Sequence, residues 1–219
     1  MILAKYSDKP LIIDILMKSF DSNKGVNYAI KQDKKRNNRL RVLIEYAFEL
    51  CWKYGEIYLT DNKKGVGLTL FPDKKKLDLN SIIWGIKLVF SSLGITRVLK
   101  VLKRESMTKK LHPKSLLYLW FIGVIPEYQG KGIGSVLLKE ISELCTKRKM
   151  PIYLETAMEE NIPFYQRLNF QLYKILKVPY TLFLFRKELT ELVENKLVVN
   201  ELVVNKLIVN KLVEVELVT

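Results

Sequence analysis

The stretch Val124-Ile-Pro-Glu-Tyr-Gln-Gly-Lys-Gly-Ile-Gly-Ser135 decides the fold of this 219-residue chain. A run rich in β-branched and aromatic residues, Leu116–Ile125, leads into it and predicts a buried strand that ends at Pro126. Apolar positions at helical spacing follow and predict a helix over 132–149. A glycine turn between a strand and a helix exposes backbone N–H groups at the positive end of the helix dipole. The segment therefore predicts a cradle for a pyrophosphate, and Lys131 adds a positive charge beside it.

The spacing of the glycines distinguishes between the known phosphate-binding motifs. A dinucleotide fingerprint would need a third glycine where Ser135 stands, and the pattern of a P-loop is absent. The turn does match Q-x-x-G-x-G, through Gln129, Gly132 and Gly134. It resembles the acetyl-CoA loop of the GNAT N-acetyltransferase superfamily. The resemblance implies an acetyl-CoA site formed by Ile122, Gly123, Val124, Gln129, Gly130, Lys131, Gly132, Ile133, Gly134, Ser135 and Asn161.

A second segment extends the resemblance. The residues from Asn161 through Tyr165 to Asn169-Phe170 look like the family's N…Y-x-x-x-G-F pattern. Asn169 replaces the usual glycine, and asparagine also tolerates the left-handed conformation that caps a helix. Asn161 precedes Tyr165 by four residues, a shorter spacing than is usual in the family. The resemblance covers roughly residues 115–187 and implies that Tyr165 is the general acid that protonates the leaving thiolate.

The general base is less clearly indicated. Glu155 ends a predicted strand, Pro151–Glu155, beside the strand that leads into the glycine turn. It resembles the strand-end glutamate that serves as base in ribosomal-protein N-terminal acetyltransferases, and an ordinary strand-end carboxylate is the alternative. The only histidine, His112, is expected in a surface loop, and no cluster of metal-ligand residues accompanies it. No metal is therefore expected.

The remaining patterns predict an α/β protein with a mixed sheet. Apolar spacing indicates helices over 9–20 and about 36–54, followed by a hairpin of Glu56–Thr60 and Gly65–Phe71. After the glycine turn the patterns predict a short helix, Pro163–Leu168, and three further strands: Pro151–Glu155, Phe170–Lys177 and Tyr180–Arg186. An amphipathic helix in one or two pieces is predicted over 81–103, because Gly85 and Gly94 weaken it. The resemblance implies a GNAT-like fold: a central mixed β-sheet with an antiparallel N-terminal hairpin, flanking helices, and strands that splay at the cofactor site.

Domain boundaries follow from composition. Residues 1–187 are predicted to form the acetyltransferase domain, with a helical insertion over 73–114 near the acceptor site. Residues 188–219 repeat every five positions, as in Glu201-Leu-Val-Val-Asn, and are predicted to be a low-complexity tail. Five residues per repeat keep no single face of a helix or strand apolar.

The net charge of +14 is unevenly distributed. Residues 188–219 hold six acids and three lysines, which leaves 34 basic and 17 acidic residues, a net +17, in residues 1–187. Such a charge attracts polyanions, but no nucleic-acid module signature accompanies it, so nucleic acid is not expected as a partner. No charge-free stretch is long enough to cross a membrane as a helix, and no signal peptide is recognised, so the cytoplasm is the expected compartment.

Two functional hypotheses remain from the sequence. The first is an enzyme that transfers an acetyl group from acetyl-CoA to a primary amine by direct attack in a ternary complex. Its acceptor would be a small-molecule or peptide amine. The second is a basic binding module for nucleic acid or anionic surfaces that uses the glycine turn only as a phosphate contact. Saturable binding of acetyl-CoA distinguishes the two.

Overall fold

A seven-stranded mixed sheet runs through the residues that the computed structural model describes, 1–76 and 78–189. The strands are β1 Ile2–Leu3, β2 Gly55–Leu59, β3 Gly65–Leu70, β4 Leu117–Val124, β5 Ile152–Thr156, β6 Gln171–Lys177 and β7 Thr181–Lys187. Their order in the sheet is β1-β2-β3-β4-β5-β7-β6, and every neighbouring pair is antiparallel except β4 and β5.

Helices cover both faces of this sheet. On one face, α1 (Lys9–Ser19) and α3 (Arg36–Tyr54) contribute a core that includes Ile12, Leu16 and Phe48. On the other, α6 (Ile133–Lys147) buries Leu137 and Ile141. The α-helices are α1 Lys9–Ser19, α2 Lys24–Ala29, α3 Arg36–Tyr54, α4 Leu79–Leu88, α5 Ile95–Lys109, α6 Ile133–Lys147 and α7 Ile162–Arg167.

The predicted fold class is confirmed. The hairpin of β2 and β3, the helices over 9–19 and 36–54, and the strand–turn–helix unit from β4 to α6 all form where the apolar patterns indicate them. The sequence missed β1 and α2, because two and six residues are too few to show a period. The predicted repeat tail lies outside the described residues from position 190 onward.

The insertion consists of two helices separated by a break. A π-helical segment, Val89–Leu93, continues α4, and Gly94 then adopts φ +76°, a conformation that excludes most L-residues and ends the helix. Leu88 and Leu93 are buried against the domain, whereas Phe90 is 66% exposed. The insertion therefore docks along one apolar face and leaves a second one open. Large side chains on the open face of α4 are Leu79, Ile82, Ile83 and Ile86.

Candidate active site

The sheet opens between β4 and β5. These parallel strands pair only from Leu117 to Leu119 on β4, although β4 continues to Val124. The pairing of β4 with β3 shifts its register at the same point. Leu68 of β3 pairs with Phe121 of β4, whereas the next residue of β3, Thr69, pairs with Leu119. Trp120 is thus an extra residue, a β-bulge, which bends a strand and increases its twist. The backbone of β4 beyond Leu119 has no β5 partner and borders a wedge.

The glycine turn lies at the mouth of this wedge. A short 3₁₀ segment, Pro126–Tyr128, follows β4, and then Gly130 and Gly132 adopt φ +74° and +80°. Gly132 is the N-cap of α6, and no side chain caps that helix start. The first backbone amide of α6 to bond back to the N-cap carbonyl belongs to Val136. The preceding amides, at 133–135, are therefore the unpaired donors of a helix N-terminus, where the dipole favours an anion.

Hydrogen bonds hold the turn against α1. The Val124 carbonyl accepts from Gln129 Nε2 at 2.9 Å, and Ser19 Oγ at the end of α1 lies 2.9 Å from the same oxygen. Gly123 lets α1 approach closely, because a Cβ there would lie 2.9 Å from Ser19 Cβ. Gln129 thus positions the turn through the backbone of β4.

A cavity of about 580 Å³ lies beneath the turn, and we call it the turn cavity. Lys131 is not among its lining residues, because its Nζ lies over the ring of Tyr128, 5.0 Å from the centroid. Arg167 at the end of α7 lines the cavity instead and is a cation that the sequence did not single out. Predicted site residues that do line the cavity are Ile122, Gly123, Val124, Gln129, Gly130, Gly132, Ile133, Gly134, Ser135, Asn161 and Tyr165.

Tyr165 is buried at the edge of the turn cavity. Its ring packs on Phe185 with centroids 5.2 Å apart, and its carbonyl accepts from the amide of Phe170 at 3.1 Å. Asn169 takes φ +62°, the left-handed cap that the sequence predicted. Burial raises the pKa of the Tyr165 hydroxyl, so this group keeps its proton at neutral pH and can act only as a donor or a neutral acceptor.

Glu155 does not line the turn cavity. It borders a smaller neighbour of about 120 Å³, the Glu155 cavity, which Tyr118 and Trp120 also line. Its side chain is 3% exposed and forms an ion pair with Arg104 of α5, a partner that the sequence did not indicate. Burial opposes the charge on Arg104, but the carboxylate outweighs that effect and raises the pKa of the guanidinium. The Arg104 guanidinium therefore keeps its proton at neutral pH.

His112 lies in the loop between α5 and β4, as the sequence predicted, but it is half-buried rather than on the surface. Where the insertion rejoins β4, its ring packs between those of Tyr118 and Tyr153, at centroid distances of 5.7 and 5.2 Å. Burial lowers the pKa of His112, and the charge of Glu155 partly opposes this shift. Its Nε2 is buried without a hydrogen-bond partner among the described residues. A neutral imidazole therefore lies close to the Glu155 carboxylate.

The turn cavity has the features that a CoA thioester requires. Unpaired amides at the start of α6 and the Arg167 guanidinium offer positive potential to phosphates, although Glu160 also lines the cavity. The unpaired edge of β4 offers backbone groups to an extended amide chain. The mixed sheet thus splits beside a helix N-terminus, and the split leaves room for a ligand between β4 and β5.

Comparisons with known proteins agree with this architecture. Residues 100–170 match the model of the acetyltransferase (GNAT) family. Over 53 residues the chain is 38% identical to an uncharacterized N-acetyltransferase of Schizosaccharomyces pombe. That match covers 24% of this chain and 22% of the relative, well under two thirds of its length.

Solved structures share the fold over most of the chain. A protein of Corynebacterium glutamicum, described as histone acetyltransferase HPA2 and related acetyltransferase, is 21% identical with a TM-score of 0.64, and the match covers 86% of this chain and 95% of that one. Arylalkylamine N-acetyltransferase 2 of Aedes aegypti is 12% identical with a TM-score of 0.58, and the match covers 86% of this chain and 98% of that one. At these identities the likeness shows the fold alone. Residues 100–170 thus resemble the acetyltransferase (GNAT) family, and the fold over most of the chain is shared with solved acetyltransferases.

Proposed function

We propose that the protein transfers the acetyl group of acetyl-CoA to a primary amine, by direct attack within a ternary complex. The observation that carries the proposal is the uncapped N-terminus of α6, whose amides adjoin a cavity at the opening between β4 and β5. The diphosphate of CoA would bind at the amides of 133–135, with Arg167 nearby. The pantetheine amides would pair with the free edge of β4 at 122–124.

The chemistry needs a proton acceptor and a proton donor. The amine nitrogen attacks the thioester carbonyl carbon, so that a C–N bond forms and the C–S bond breaks. Glu155 would accept the proton that the amine loses, and Tyr165 would donate one to the departing thiolate. The products are an N-acetylated amine and CoA with a free thiol. Backbone N–H groups of β4 would stabilise the charge that develops on the carbonyl oxygen.

The insertion over 73–114 would form a wall of the acceptor site. Its Arg104 contacts Glu155, and Leu88, Leu93 and Val101 line the Glu155 cavity. This cavity shares Phe20 and Asn23 with the turn cavity, so the two adjoin. The acceptor is proposed to be a small-molecule or peptide amine, since related folds include an arylalkylamine N-acetyltransferase. Cys51 and Cys145 are free and buried, which is compatible with the cytoplasm as the proposed compartment.

The rival function is binding of polyanions by the basic body of the protein, without catalysis. Its support is the net +17 of residues 1–187. Isothermal titration of the full chain with acetyl-CoA tests the two functions directly. We expect saturable binding of one acetyl-CoA per chain, followed by release of free thiol when a panel of amines is added. Salt-sensitive binding of an oligonucleotide with no heat from acetyl-CoA would favour the module and contradict the enzyme.

Replacing Glu155 with Gln tests its role as base. We expect kcat/KM for the amine to fall about 100-fold, the usual range for loss of a general base, with acetyl-CoA affinity unchanged. The amide keeps the shape and one acceptor for Arg104, so the fold is retained. Glu140→Gln, in the middle of α6 and outside the lining of both cavities, is the control and should behave as wild type. Unchanged kcat/KM and an unchanged pH–rate profile would remove Glu155 from the mechanism.

A further inference from the structure

A third cavity, of about 390 Å³, lies between α2, α5 and the turn that joins β6 to β7. Most of its lining is apolar or aromatic, including Val101, Met107 and Tyr180. All of its charged lining residues are cations, so we call it the cationic cavity. They are Lys100, Lys103, Arg104 and Lys177.

Two residues that line the cationic cavity each carry a buried hydrogen-bond donor with no partner among the described residues. The hydroxyl of Tyr28 and Nε of Arg104 are both buried, and neither forms a hydrogen bond within the described part of the chain. Leaving a buried donor unpaired is unfavourable. The Arg104 side chain as a whole is 28% exposed, and the residue lines both the cationic cavity and the Glu155 cavity. An apolar cavity with cations and unpaired donors suits a ligand that carries a carboxylate on an apolar body.

The cationic cavity adjoins the Glu155 cavity. The two share Ala29, Val101, Arg104 and Tyr180 as lining residues. On the far side of Arg104 the sign of the charge reverses, because the Glu155 cavity adds two carboxylates, Glu105 and Glu155. The two cavities together therefore present cations followed by carboxylates, the complement of a molecule that is negative at one end and positive at the other.

We propose that the acceptor is a zwitterionic amine, such as an amino acid with an apolar or aromatic side chain. This inference rests on the proposed function and names the class of its acceptor. The carboxylate would bind Arg104 and Tyr28, and the ammonium group would bind Glu155. The acceptor would thus replace the internal pair of Arg104 and Glu155 with two pairs of its own. Glu155, released from Arg104, would then accept the ammonium proton and generate the nucleophile.

Three ligands with one aromatic body test the proposal: phenylalanine, phenethylamine, which lacks the carboxylate, and 3-phenylpropionate, which lacks the amine. Each is titrated into the full chain with CoA present. We expect phenylalanine to bind at least about tenfold more tightly than either analogue, because a charge-assisted hydrogen bond contributes about 1.5–3 kcal/mol. Free-thiol release from acetyl-CoA should show the same preference for phenylalanine over phenethylamine. Equal or tighter binding of phenethylamine would overturn the proposal.

Variants locate the carboxylate. Arg104→Gln should lower the affinity for 3-phenylpropionate about 30-fold and that for phenethylamine less than threefold. Tyr28→Phe removes only an unpaired hydroxyl, so it should fold normally and lose about fivefold in affinity for 3-phenylpropionate. The control is Arg148→Gln, which breaks another arginine–glutamate pair, with Glu56, and touches neither cavity. An affinity unchanged in Tyr28→Phe and Arg104→Gln would place the ligand elsewhere and contradict the proposal.

Titration with acetyl-CoA separates failure of this inference from failure of the proposed function. If acetyl-CoA binds and another amine is acetylated while none of the three ligands shows a preference for the carboxylate, only the zwitterionic acceptor is wrong. A second outcome is that 3-phenylpropionate binds through Arg104 and acetyl-CoA does not bind at all. The cationic cavity is then a ligand site, but the protein is not the proposed enzyme and the cavity is not an acceptor site.

Discussion

Replacing Gly132 with Asp is expected to lower the affinity for acetyl-CoA at least about 100-fold. Gly132 has φ +80° and caps α6, whose first amides are unpaired. An Asp side chain there would compete for those amides and place a negative charge beside the diphosphate. It would also strain the backbone by about 1–2 kcal/mol. Isothermal titration with acetyl-CoA measures the loss, and circular dichroism verifies that the variant is folded.

Two further variants separate the causes of that loss. Gly132→Ala carries the backbone strain without the charge, and we expect a decrease of about tenfold. Gly85→Ala is the control, because nothing lies within 4 Å of a Cβ at Gly85, its φ is not positive and it does not line the turn cavity. It should bind within about threefold of wild type. Wild-type affinity in folded Gly132→Asp would show that the glycine turn is not the CoA site.

Replacing Tyr165 with Phe is expected to lower kcat about 100-fold while KM for acetyl-CoA changes less than threefold. The hydroxyl stays protonated because burial raises its pKa, and it lines the turn cavity. As general acid it acts on the thiolate only as the C–S bond breaks, so its loss affects the transition state rather than binding. Steady-state kinetics with a thiol reagent measure both parameters.

The same experiment has a control in Tyr173. Its hydroxyl is also buried, and it lies on β6 and does not line the turn cavity. Tyr173→Phe should therefore leave kcat unchanged. In Tyr165→Phe the ring keeps its packing on Phe185, so a large loss of stability is not expected. If kcat is the same in wild type and Tyr165→Phe, the thiolate receives its proton from another donor, such as water.

Much of the fold could be predicted from the sequence because the signals are local. The apolar run over 116–125, the glycines of the turn and the apolar stripe of the following helix lie within about thirty consecutive residues. The left-handed cap at Asn169 was likewise predictable, since it depends on one residue type at one position. The short β1 and α2 could not be predicted, because their formation depends on pairing and packing with distant segments.

The site could be predicted only in part. Most residues of the turn that the sequence assigned to the site do line the turn cavity, because their placement depends on backbone conformation. Lys131 shows the limit of this reasoning, since a lysine inside the turn extends toward Tyr128 rather than into the cavity. Arg167 does line the cavity, and no motif identified it. Which way a long side chain points depends on its surroundings, and spacing along the chain does not describe them.

By itself, the sequence determined the strand, the glycine turn and the helix from 116 to 149, because dihedral preferences and helix dipoles are properties of neighbouring residues. The same local signals indicated where a helix N-terminus offers unpaired amides. Only the tertiary structure decided what surrounds the groups that we propose to react. Glu155 stands 51 positions from Arg104, yet the two form a buried ion pair. A carboxylate alone and one paired with a guanidinium differ in charge balance and in access to substrate, and that difference is set by contacts between distant parts of the chain.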